Sequence, residues 1–180
     1  HRHALGAADG DRRHRGVPAF LGGRYGELVL ASTSSGRNAL LSTLGLPFRA
    51  EAPGVEEEVP SGTPPRTAVA LLAERKARAV AGRNTHAMVL GSDQLVVLEG
   101  QSLTKPADVG AARAQLAALS GRTHEVVTGV CLVGHGFFAC DADLAWMKVC
   151  QLTAAELDAY VATGEWQGCA GGYRVEGRGQ

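Results

Sequence analysis

Ala87-Met88-Val89-Leu90-Gly91-Ser92-Asp93-Gln94 is an apolar strand that breaks into three polar residues, and Leu95–Leu98 then resumes the apolar run. Polar groups inside a buried strand cost free energy unless something uses them. Asp93 suits two uses, holding a hard cation such as Mg²⁺ or activating water. The plainer alternative is an aspartate at a strand end that bonds backbone N–H groups.

The surroundings of this strand decide the fold class. Upstream, Glu27–Ala31 reads as a buried strand that runs through Ser32-Thr33-Ser34-Ser35-Gly36-Arg37 into a short helix over Asn38–Leu44, with Gly45 to end it. Pro53–Pro65 is a loop rich in Pro, Gly and Glu. Pro64 or Pro65 opens a helix that runs to Ala81 and stops at Gly82. Its apolar stripe, at spacings of three and four, is Val69, Leu72, Ala73, Lys76, Ala79 and Val80, with Arg75 and Arg78 off it. Downstream, Glu99-Gly100 signals a hairpin, and Asp108 caps a helix ending near Leu119. Glu125–Val133 and Phe137–Val149 are two strands joined by a turn at Gly134-His135-Gly136. Thr153-Ala154-Ala155-Glu156 is a capping box for a helix ending at Gly164. Strands that first alternate with helices and later pair as a hairpin predict an α/β fold with a mixed sheet.

Composition narrows the function classes. The formal net charge is zero, which gives no bias toward nucleic acid or an anionic membrane. No apolar run approaches the roughly 20 residues of a membrane helix. Cys131, Cys140, Cys150 and Cys169 contain no C-x-x-C pair and read as reduced thiols of a cytoplasmic protein. His1–Arg15 is rich in His, Arg, Gly and Ala, so residues 1–26 read as a disordered leader.

Several residues could carry phosphate chemistry. Ser32, Thr33 and Ser34 lie at a helix N-terminus, where free N–H groups meet an anion, and Arg37 adds a fork of donors. The plain reading is an ordinary capped turn. Lys76 is either a lysine snorkelling from the helix edge or an ammonium aimed at the sheet. Glu56-Glu57-Glu58 is either a solvated acidic loop or the source of a second metal carboxylate. Lys105, extended before Pro106, can project from a strand end. His124 and His135 read as an edge-strand and a turn histidine.

Taken in order, these segments resemble the Maf, or septum-formation, family of nucleotide pyrophosphatases. The resemblance rests on Ala31-Ser32-Thr33-Ser34-Ser35-Gly36-Arg37, Val55-Glu56-Glu57, Leu72-Ala73-Glu74-Arg75-Lys76-Ala77, Gly91-Ser92-Asp93, Lys105-Pro106, Ser120-Gly121-Arg122-Thr123-His124, Thr128-Gly129-Val130, Gly164-Glu165 and Ala170-Gly171. It implies an elongated mixed sheet flanked by helices, with a cleft between two lobes, similar to inosine-triphosphate pyrophosphatases. It also implies hydrolysis of a nucleoside triphosphate to the monophosphate and pyrophosphate, with Mg²⁺ or Mn²⁺. Carried over by motif, Asp93, Glu57, Lys76 and Lys105 are the catalytic set, Glu57 and Asp93 hold the metal, and Ser32, Ser34 and Arg37 bind phosphates. Gln94 and Glu176, with Cys169, are similar to the branch that hydrolyses 7-methyl-GTP. A carboxylate can accept from both N1–H and the amino group of the cationic 7-methylguanine, a pair of donors that uracil lacks.

Two departures stand out. Ser35 replaces the motif proline, and family members continue past the position of Gln180, so residues 27–180 are expected to be a domain shortened at its C-terminus. The alternatives are a dTTP/UTP pyrophosphatase and a nucleotide-binding regulator of cell division without turnover. A homodimer is implied by the resemblance alone.

Overall fold

A computed structural model describes residues 26–174 and 177. The leader read for residues 1–26 therefore lies outside the described residues, Gly26 excepted, and so does Glu176. The elements run β1 (Glu27–Ala31), α1 (Ser35–Ser42), β2 (Phe48–Ala50), α2 (Pro65–Ala81), β3 (Ala87–Leu98), β4 (Gln101–Leu103), α3 (Val109–Leu119), β5 (Thr123–Gly134), β6 (Phe137–Lys148) and α4 (Ala154–Ala162), followed by a 3-10 turn at Ala170–Gly172. The sheet order is β2-β1-β3-β5-β6, with β4 also on β3. β1 pairs parallel with β2 and β3, and every other pairing is antiparallel. The mixed α/β sheet expected from the sequence is thus the architecture of the protein.

Successive side chains of a strand point to opposite faces. One face of β3 is covered by α2, with Val29, Ala31, Ala73, Ala77, Val80 and Val89 in a single cluster. Among the described residues, the other face is covered at its two ends only. At one end Leu41 of α1 packs on Leu28, Leu30 and Met88. At the other end α3, α4 and Trp166 form a separate cluster, with Tyr173 packed against it. The stretch between them, which includes Gln94, Thr128 and Val130, is left open as a cleft.

The pairing of β3 matters most. Along one edge it meets β5 from Val89 to Val97. Along the other it meets β1 only as far as Gly91, and β4 only from Val96. Among the described residues, Ser92–Leu95 therefore has one unpaired edge, a gap in the sheet. β3 spans Ala87–Leu98, the strand expected from the sequence, and runs straight through the polar Ser92, Asp93 and Gln94.

Local signals placed most elements. Asp108 accepts from the Ala111 N–H at 2.8 Å, and both halves of the Thr153–Glu156 capping box form. α1 begins three residues earlier than expected, because Ser34 rather than a later residue is its cap. The two short strands β2 and β4, three residues each, carry too little periodicity to read.

The cysteine reading needs correction. Cys131 and Cys140 form a disulfide, because the β5–β6 register sets them directly opposite each other. Cys150 and Cys169 are free. No helix among the described residues is long and apolar enough to cross a membrane.

β6 lies at the sheet edge, and its own side chains occupy part of that edge. Asp141 and Asp143 accept from the N–H groups of Ala142 and Leu144, each at 2.8 Å, and Arg66 donates to the Ala142 carbonyl. Edge groups already taken in this way are poor templates for a further strand.

Candidate active site

The sheet gap gathers the predicted residues in three groups. The first follows β1. Ser32 is buried, and its Oγ accepts from the Ser34 N–H at 3.1 Å and from Arg37 Nη1 at 3.5 Å. Ser34 caps α1 by accepting from the Arg37 N–H at 3.4 Å. β1 ends level with Gly91, so this turn opens beside the Gly91–Asp93 step of β3.

The second group lies on the α2 face. Lys76 is only 3% exposed. Its Nζ donates to Asp93 Oδ1 at 2.5 Å and sits 2.7 Å from Glu57 Oε1. The snorkelling alternative fails here, since the ammonium points inward and ends between two carboxylates. The alternative for Asp93 fails as well, because the residue lies in mid-strand and bonds a side chain. Lys105 Nζ reaches Glu57 Oε2 at 3.4 Å. The hydrogen bond from Lys76, ahead of the charges of Lys76 and Lys105, holds the Glu57 carboxyl below the usual carboxylate range.

Backbone packing sets these distances. A Cβ on Gly91 would stand 2.1 Å from the Ala73 carbonyl oxygen, and one on Gly129 would stand 2.4 Å from that of Val69. Both glycines face α2, and Gly129 pairs directly with Asp93. Their missing side chains let the α2 backbone rest on the sheet, which brings Lys76 within reach of Asp93. Arg75 adds a second constraint, donating to the carbonyls of Glu56 and Glu58 at 2.8 and 2.9 Å. The acidic loop is thereby strapped to α2 with Glu57 toward Lys76. Arg75 lies off the apolar stripe, and nothing in its spacing marks this role.

The third group is on the cleft face. Gln94 is exposed and donates from Nε2 to Thr128 Oγ1 at 3.0 Å. Asp93 and Gln94 are neighbours in sequence but serve opposite faces of one strand. A depression on the cleft face is lined by Val126, Thr128, Val130, Asp141 and Asp143.

Asp93 and Glu57 are two carboxylates that converge on the Lys76 ammonium. Mg²⁺ commonly takes one or two protein carboxylates and completes its shell with water and phosphate oxygens. The residues present therefore fit such an ion.

The edge-strand reading of His124 is corrected, because β5 lies between β3 and β6 in the sheet order and the residue is buried. It is 1% exposed, and its Nε2 lies 2.6 Å from the hydroxyl of Tyr173, 49 residues away. A contact at that separation leaves no local signal.

A buried Lys76–Asp93 pair thus sits at a gap in a mixed α/β sheet, beside a capped, serine-rich helix start. Comparison with known proteins gives the family. The family described as Maf-like protein matches residues 27–180, and the chain belongs to it. The chain is similar to a dTTP/UTP pyrophosphatase of Moorella thermoacetica, 46% identical over 85% of this chain and 80% of that protein. It is also similar to a 7-methyl-GTP pyrophosphatase of Xanthomonas campestris pv. campestris, 43% identical over 84% of this chain and 80% of that protein. Among solved structures, the Ham1 protein of Staphylococcus aureus aligns at 15% identity and a TM-score of 0.48, over 68% of this chain and 71% of that one.

Proposed function

We propose that this protein is a nucleoside triphosphate pyrophosphatase that selects 7-methyl-GTP and releases 7-methyl-GMP and pyrophosphate. The enzyme class follows from family membership, since relatives under both names are nucleotide pyrophosphatases. The observation that carries the reading is Lys76, buried between Asp93 and Glu57 at the gap in the sheet.

A triphosphate brings about four negative charges, which cations must offset. Ser32, Ser34, the free N–H groups of α1 and the Arg37 guanidinium form the phosphate cradle at the end of β1. Lys76 and Lys105 supply ammonium groups on the other side of the gap. Each pairs with Glu57, and phosphate oxygens would take over these donors. Asp93 is the proposed acceptor of the proton from the attacking water, a role its burial beside Lys76 supports. Glu57 and Asp93 would hold Mg²⁺ or Mn²⁺, which would neutralise charge developing on the pyrophosphate leaving group.

Base selection is assigned to Gln94 and Glu176. Gln94 faces the cleft, where its amide is oriented by Thr128. The second reading is dTTP/UTP hydrolysis, favoured by relatives of that name at 46% and 44% identity.

The deciding experiment is pyrophosphate release by the full chain with Mg²⁺, comparing 7-methyl-GTP, GTP, dTTP and UTP. Preference for 7-methyl-GTP supports the proposal, and preference for dTTP or UTP replaces it with the second reading. Tight binding without release from any of the four would leave a nucleotide-binding protein without turnover.

A further inference from the structure

We propose that His124 is a positioning residue for nucleotide selection, acting through Tyr173 to hold the Gly171–Tyr173 turn on the cleft face of β3, one side-chain step from Gln94. The inference rests on the pyrophosphatase reading and assigns that site a further part.

The turn lies directly on the strand. Gly171 and Gly172 both take left-handed backbone angles, with φ of 76° and 74°. A Cβ on Gly171 would come 3.2 Å from Val96 Cγ1. Val96 and Gln94 share one face of β3, two residues apart. The position of this turn therefore bounds one wall of the cleft beside Gln94.

Two side chains fix the turn, each from a different element, and a third stands beside it. His124 at the start of β5 bonds the Tyr173 hydroxyl at 2.6 Å, with the rings edge to face and their centroids 5.6 Å apart. Tyr160 of α4 accepts from the Arg174 N–H at 3.0 Å. Gln115 of α3 approaches Gly172, where a Cβ would lie 3.8 Å from its Oε1.

The polar groups here are not arranged for stability alone. Among the described residues, Gln115 Oε1 and His124 Nδ1 are buried side-chain atoms without a hydrogen-bond partner, and both flank this same turn. An unpaired buried polar atom is a cost that Phe or Leu at these positions would not carry. What the His124–Tyr173 bond provides, and apolar packing does not, is a fixed direction for the segment.

The test uses Tyr173→Phe, which keeps the ring and deletes the hydroxyl, together with His124→Phe and His124→Gln. Melting temperature, kcat and KM are measured for 7-methyl-GTP and dTTP. Losing one directional hydrogen bond should raise KM about tenfold for the preferred nucleotide while kcat stays within about twofold. The ratio of kcat/KM between the two nucleotides should shift by a similar factor, and His124→Gln should recover part of what His124→Phe loses. A folded Tyr173→Phe enzyme with unchanged KM and unchanged selectivity overturns the inference and leaves the pyrophosphatase reading intact. A kcat loss equal for both nucleotides, with a lowered melting temperature, overturns it in favour of a purely structural role. If the wild-type chain hydrolyses neither nucleotide, the pyrophosphatase reading fails and this inference falls with it.

Discussion

Asp93 and Gln94 are adjacent, yet the two faces of β3 that they serve are built on opposite principles. On the α2 side the groups are charged and mutually paired, with the buried Lys76 held by buried Asp93 and by Glu57. On the cleft side Gln94 is neutral and exposed, bonded to the Thr128 hydroxyl. Chemistry that depends on charge gains from a dry, rigid setting, where fields are strong. Discrimination between bases needs an accessible surface with correctly placed donors and acceptors. On the function proposed here, one nucleotide would meet both at the gap beside Ser92–Leu95.

The comparison breaks most sharply at Asp93. Asp93→Asn removes the carboxylate yet leaves Glu57 paired with Lys76. Turnover should fall by about 10²–10⁴, while far-UV circular dichroism and melting stay close to wild type. Wild-type kcat in this variant would remove Asp93 from the mechanism.

Gly129→Ala tests whether the paired face depends on close packing. Its new methyl group would meet the Val69 carbonyl, so α2 must shift away from the sheet. A cost of about 1–3 kcal/mol is expected from such overpacking, read by urea denaturation, together with a kcat loss as Lys76 moves off Asp93. An enzyme that stays as stable and as active as wild type would show that the helix can yield.

Gln94→Ala should act on the open face alone. Its expected signature is a KM increase of about tenfold for the preferred nucleotide with kcat nearly unchanged, the size of one hydrogen bond. A fall in kcat instead would mean that the two faces are not separable.

The smallest effect is electrostatic and remote from the gap. Arg49, Arg83 and Asn84 hold the Glu51 carboxyl down to about 2, with the Arg49 hydrogen bond the largest cause. A carboxyl whose pKa is depressed by folding adds stability above its unfolded value, and loses it as pH falls toward the folded one. Glu51 should therefore contribute fully at neutral pH, and its share should disappear between the ordinary value of 4.5 and about 2. Melting curves of wild type and Glu51→Gln, compared across that range, should converge as the pH drops. Glu57 has the same sign, since Lys76 lowers it.

Much of this protein is legible in the order of its residues. Helix α2 declares itself by spacing, proline and glycine, and Asp108 and Thr153 announce α3 and α4, because capping and periodicity are local properties. The residues found at the gap are legible as motifs, since an acid in an apolar strand and a lysine in an apolar stripe are local anomalies. What the tertiary structure alone decided involves distance in sequence. The burial of Lys76 against both Asp93 and Glu57, the disulfide between Cys131 and Cys140, and the bond from His124 to Tyr173 all depend on how strands are ordered and registered. The same holds for the division of Asp93 and Gln94 between two faces and for the unpaired edge beside them. A strand's period assigns its residues to alternate sides, but only the elements packed against it decide which side is closed and which is open.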